Sequence, residues 1–280
     1  MLANTIPGLP VAYSGASVNR TMALLNPNPG VHNKATIVSM AIIASGLAIL
    51  LHEGLGHGVT AWLRGDTVTE LTSNHLSSLH PDHWVEAGGS IVNLIVGLGS
   101  LAAMRALSRH PNARYFLWLL AALNLLPAAG YLMLSGIFAF GDWYEVIRDL
   151  PRQLPIRIVM TLVGAAAYML FMRWLGVTLR PYVPEPRDYN TVSRLPYYAA
   201  GIFSCLAGAF DPLGIKLLLI STIPAAFGGS SGLLWGDSMV PKTSTEPTLR
   251  VHRQPAWWIF AILFGVPYIW FLGRGIHFHT

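Results

Sequence analysis

The sequence predicts an all-α, polytopic membrane protein of about six transmembrane helices, some kinked or broken. Three observations predict it. Of 280 residues, 53% are hydrophobic and 11% charged, whereas soluble domains average about 25% charged. The mean hydropathy is +0.48. The apolar residues are also gathered into long runs, sufficient for helices across about 30 Å of hydrocarbon, with arginine, proline and glycine between them.

Charge and cysteine narrow the class. The formal net charge of +5 comes from arginines that flank the apolar runs. That placement fits a lipid bilayer as partner and excludes nucleic acid, which needs a basic stripe on a polar fold. A multi-pass protein of a bacterial-type inner or cytoplasmic membrane is the expectation. The single cysteine, Cys205, lies in an apolar run, so no intramolecular disulfide can form.

Residues 1–34 read as an irregular extramembrane segment. They hold Pro7, Pro10, Pro27 and Pro29 but no continuous apolar core, so no cleavable signal peptide is expected. Residues 35–280 then form a single membrane domain. Its first span, residues 35–63, carries Leu50-Leu51-His52-Glu53-Gly54-Leu55-Gly56-His57-Gly58 in its C-terminal half. Ionisable groups inside a bilayer are costly and by default mark function. The start of this stretch resembles the zinc-peptidase signature His-Glu-x-x-His, in which histidines four apart share a helix face and the glutamate activates water.

Here the histidines are five apart, about 140° around an ideal helix, while Glu53 and His57 are four apart and about 40°. Three readings follow. A one-residue π-bulge at Gly54–Gly56 returns both histidines to one face. Alternatively, Glu53 and His57 are the ligand pair, with His52 behind them. In the third, no metal binds and the side chains satisfy one another inside a helix bundle.

Beyond Arg64-Gly65-Asp66, residues 67–72 alternate like a short strand, and His75, His80 and His83 follow as loop histidines near the membrane. The second span, residues 84–107, contains Ala87-Gly88-Gly89-Ser90-Ile91-Val92-Asn93. Small residues at this spacing press membrane helices together, which sets this helix against the motif helix. The third span, residues 115–140, contains Asn124-Leu125-Leu126-Pro127, and Pro127 predicts a kink or unwinding midway. Asp142 follows it. Asp142 reads either as a third metal ligand or, with Glu145, as a capping box for a helix over residues 143–150.

The fourth span, residues 156–175, reads as scaffold. A fifth region, residues 195–227, is broken at Asp211-Pro212, and Asp211 is the alternative third ligand, a helix cap, or a partner of Lys216. After a polar loop over residues 233–254, the last span covers residues 256–274 with Trp257, Trp258 and Trp270 as interfacial anchors. More Lys and Arg fall on the side of Lys34, Arg105, Arg114, Arg173 and Arg180 than on that of Arg64, Arg148 and Arg152. That excess favours both termini in the cytoplasm.

The order of these motifs resembles the site-2-protease-like intramembrane zinc metalloproteases over about residues 36–143. His52-Glu53 through His57 is similar to their His-Glu helix, residues 87–93 to their Gly-Pro-x-x-Asn helix, and residues 124–127 to their Asn-x-x-Pro segment. This chain has one residue more between the histidines, and its next acid is displaced to Asp142. The resemblance implies that His52, His57 and Asp142 hold Zn²⁺, that Glu53 is the general base, and that Asn93 and Asn124 position a substrate. It further implies a transmembrane protein substrate, locally unwound at the site.

Two other classes stand beside this enzyme. One is a non-catalytic, metal-binding or structural subunit of a larger membrane complex. The other is a metal or proton transporter, which the broken fifth region would suit.

Overall fold

The computed structural model describes residues 30–107, 109–243 and 246–278. Most of the expected irregular N-terminal segment, residues 1–29, therefore lies outside the described residues. The fold is mostly helical, with one small sheet. Among the described residues five helices are long and apolar enough to cross a membrane, or six when one bent pair is taken as a span.

Helix α1 (Lys34–Leu63) is capped by Asn33, whose side chain accepts from Thr36 N at 3.0 Å. Strand β1 (Val68–Leu71), the short strand that the alternation of residues 67–72 anticipates, pairs antiparallel with β2 (Leu76–Ser78). Then come α2 (His83–Ala103), α3 (Pro111–Phe138), the short α4 (Asp142–Ile147) and α5 (Gln153–Tyr182). Helix α6 (Leu195–Gly208) precedes the bent pair α7 (Gly214–Gly229) and α8 (Gly232–Met239), which meet at 40°. Helix α9 (Pro255–Leu272) ends the bundle, and β3 (Ile276–His277) then joins β1 antiparallel, giving the order β2–β1–β3.

Helices α1 and α3 form the centre. Ile37, Met40 and Ala44 of α1 pack with Trp118, Leu119, Ala122 and Leu125 of α3, and Phe171 and Leu175 of α5 close the cluster. Burial of each large side chain contributes roughly 1.5–3 kcal/mol. The polar tips of two buried aromatics find carbonyls: Tyr115 OH donates to Val192 O at 2.8 Å and Trp118 Nε1 to Leu175 O at 3.0 Å. Such tips usually find a hydrogen-bond partner when buried. By contrast, α5 and α9 turn leucines, isoleucines and phenylalanines outward; Leu162 is 65% and Leu263 66% exposed.

Four expectations are corrected. Helix α3 runs through Pro127 without unwinding; proline removes one backbone hydrogen bond, and the packed neighbours hold the rest. Helix α2 ends at Ala103, short of residue 107, in a turn. The break at residues 211–212 is present, but the second half continues through a bend into α8, inside the stretch expected to be loop. The helix after Asp142 spans Asp142–Ile147 rather than residues 143–150, with Gly141 at its cap.

Candidate metal centre

The centre starts from the backbone of α1. Between Leu51 and Gly58 the helix winds as a π-turn, and Val59 N donates to Gly54 O, five residues back. In this winding residues five apart stack, so His52 and His57 point the same way. The extra residue is absorbed on the outer side, where Leu55 is 46% exposed. Of the three readings of the spacing, the π-bulge is the one the backbone adopts.

Close packing holds the turn. A Cβ on Gly56 would lie 2.4 Å from Gly89 Cα, and one on Gly88 would lie 2.4 Å from Gly56 O. Only glycines allow α1 and α2 to approach this far. Gly89 also floors the site: a Cβ there would sit 2.6 Å from both His52 Nε2 and His57 Nε2.

Asp142 arrives from the end of α3. The chain leaves α3 through Ala139 and Gly141, both at positive φ (53° and 85°), and the second turn requires glycine. This reversal sets Asp142 at the first position of α4, where its carboxylate faces the histidines instead of capping the helix. His52 Nε2 lies 3.2 Å from His57 Nε2 and 3.2 Å from Asp142 Oδ2, and His57 Nε2 lies 3.8 Å from that same oxygen. The group could hold a metal ion. A tetrahedral ion with bonds of about 2.0–2.1 Å sets its ligands roughly 3.3 Å apart, close to these edges.

The hydrogen bonding of His57 favours a cation. His57 Nδ1 donates to Val85 O at 2.7 Å, which leaves the Nε2 lone pair aimed at the cluster. Two imidazole nitrogens and a carboxylate oxygen thus converge on one buried point, a donor set suited to zinc and its neighbours. The His52 ring lies nearly parallel to Tyr131, centroids 5.9 Å apart.

Glu53 is buried beside this triangle, with Oε2 at 4.0 Å from His57 Nε2. It lines two cavities. One, of about 100 Å³, is bounded by His52, Asn93, Tyr131 and small side chains such as Ser45 and Ala225. The other, of about 290 Å³, is bounded by His57, Glu86 and Asp142. Asn93 faces the first with an unbonded Oδ1.

Two expected site residues lie elsewhere. Asn124 is fully buried, donates to Leu120 O at 2.7 Å and lines neither cavity. Asp211 accepts from Asn74 Nδ2 at 3.0 Å and from Leu213 N at 2.9 Å, and lies 3.6 Å from His75. It is neither a ligand of this group nor, among the described residues, a partner of exposed Lys216. His75 serves that network, while His80 is a solvated side chain 87% exposed.

Sequence reasoning passed over Tyr131, Asn74 and the flooring role of Gly89. Tyr131 stands one helical turn after Pro127, so a helical-face reading of that segment would have found it; Asn74 carried no such signal. Comparison of the chain with protein-family models, curated proteins and solved structures gives no match.

Proposed function

We propose that this chain is a membrane-embedded, zinc-dependent metallopeptidase of the site-2-protease-like kind, cleaving peptide bonds of membrane proteins. The observation that carries the reading is the triangle of His52, His57 and Asp142 with a buried glutamate beside it and a cavity in front. The long apolar helices with outward-facing Leu, Ile and Phe support insertion in a bilayer, where such side chains meet lipid.

When bound, zinc supplies Lewis acidity and lowers the pKa of a coordinated water to about 7. The chain's residues do the rest. Val85 O fixes the His57 tautomer so that Nε2 is a ligand atom. Glu53, adjacent to the triangle and open to both cavities, takes the proton from water and returns it to the leaving amine. Asn93 offers an amide to the substrate strand or to the developing oxyanion.

The test has two stages. Elemental analysis of purified protein is expected to find one zinc per chain, lost in His57→Ala. Glu53→Gln should retain the zinc while new N-termini, labelled in membranes supplied with wild-type protein, disappear. Zinc held by wild type and Glu53→Gln and lost in His57→Ala, with no cleavage by wild type, would instead support the non-catalytic subunit.

A further inference from the structure

A second concave feature lies at the far ends of α2 and α3 from the metal centre. A cleft of about 810 Å³ opens between the C-terminal end of α2, the first turn of α3 and the outer face of α5. Three arginines line it, Arg105, Arg114 and Arg173, against a single acid, Glu246. Arg114 Nη1 donates to Glu246 Oε2 at 2.7 Å. The Arg114 side chain is only 11% exposed, and its Nε has no hydrogen-bond partner. Arg105 and Arg173 are exposed, and among the described residues neither has a carboxylate within 4.0 Å. Three positive charges against one negative leave two unbalanced.

The walls are apolar. Leu98, Trp174 and Val177 border the cleft and remain 40%, 43% and 51% exposed. We propose that this cleft binds an anionic phospholipid, its phosphate among the three arginines and its acyl chains against Leu98, Trp174 and Val177.

Position, charge and shape agree on that occupant. Arg105 and Arg114 flank the turn between two apolar helices, the level at which headgroups lie. Arg173 sits deeper on α5, and its long aliphatic stem lets the guanidinium reach the headgroup level. Planar guanidinium groups match phosphate oxygens two at a time. Basic pockets between membrane helices recognise anionic headgroups on this basis. A zwitterionic lipid brings its own cation into a site already in cationic excess, and free phosphate leaves the apolar walls bare.

The proposal rests on the membrane reading but not on the metal centre or its chemistry. The full chain, purified in neutral detergent, would be titrated with phosphatidylglycerol, phosphatidylcholine and inorganic phosphate, with bound lipid counted by native mass spectrometry. One phosphatidylglycerol per chain is expected, held at least about tenfold more tightly than phosphatidylcholine, with no competition from phosphate at equal concentration. The exposed, unpaired positions make Arg105→Gln/Arg173→Gln a fold-neutral variant, checked by its lipid-free thermal unfolding. It should weaken phosphatidylglycerol about tenfold and leave phosphatidylcholine unchanged. Equal binding of both lipids, an unaltered affinity in the variant, or full competition by phosphate would each overturn the assignment. Whether the chain needs detergent to stay in solution reports separately on the membrane reading.

Discussion

At the scale of single residues, the candidate site is controlled by what is absent from position 89 as much as by the three side chains that could hold an ion. The hydrogen on Gly89 Cα faces two imidazole nitrogens, and a methyl group there would occupy the space at 2.6 Å from each. Gly89→Ala should therefore push His52 and His57 apart. Zinc affinity should fall by about tenfold or more, on the scale seen when ligand-orienting contacts are lost. Competition with a coloured chelator measures it; unchanged affinity would mean that α2 is not pressed on the ligands in solution. The chemistry of Asp142 is likewise a matter of one neighbour. Gly141 at φ 85° turns the carboxylate inward, and no sequence pattern around Asp142 separates a ligand from a capping acid.

At the scale of elements, the π-turn gives a sharper forecast. Leu55 is the outward residue of a widened turn, and deleting it would leave His-Glu-Gly-Gly-His, with histidines four apart. An ordinary α-helical turn then carries both ligands on one face. The deletion should keep stoichiometric zinc, whereas a turn needed for another purpose would lose it; elemental analysis decides.

The sheet poses a different question. Asn74, in the β1–β2 loop, donates to Asp211 and accepts from Thr222 Oγ1 at 2.8 Å. It thereby ties the hairpin to the break between α6 and α7 beside the cavity that holds Glu53. The Asp211 side chain is fully buried. Asn74→Ala removes one of its donors, which should cost on the order of 1–3 kcal/mol, read as a lowered thermal midpoint in detergent.

At the scale of the whole molecule, His32 joins distant parts of the chain. It donates from Nε2 to Tyr182 O at 2.9 Å and accepts at Nδ1 from Val251 N at 3.2 Å, both bonds buried. Only the neutral ring makes the two bonds together. Burial, and then the Arg250 charge nearby, lower its pKa from 6.5 to about 4. The unfolded chain therefore binds a proton between those values that the folded chain refuses. Stability is fully present above pH 6.5 and declines as pH falls towards 4, by on the order of 3 kcal/mol. Thermal midpoints measured across that window should drop for the wild type and drop less for His32→Asn.

The helical class, the long apolar helices and the place of the candidate site were legible in the sequence alone, because each depends on local composition. A run of leucines is apolar wherever the chain goes, and a histidine pair inside such a run is conspicuous in any fold. The glycines of residues 88–89 likewise announced a close crossing. The winding of residues 51–58 was not decided locally: an α-turn and a π-turn differ by one hydrogen-bond step, and the contact of Gly56 with Gly88 and Gly89 holds the wider one. Nor could spacing choose between Asp142 and Asp211, since a ligand is defined by convergence of distant side chains on one point. Of the kink or unwinding that Pro127 predicted, the unwinding does not occur, because the helix stays packed through that point. Sequence by itself determined which groups are in the helices; tertiary structure decided which of them meet, because ligand geometry is a sum of non-local contacts that no window of the chain contains.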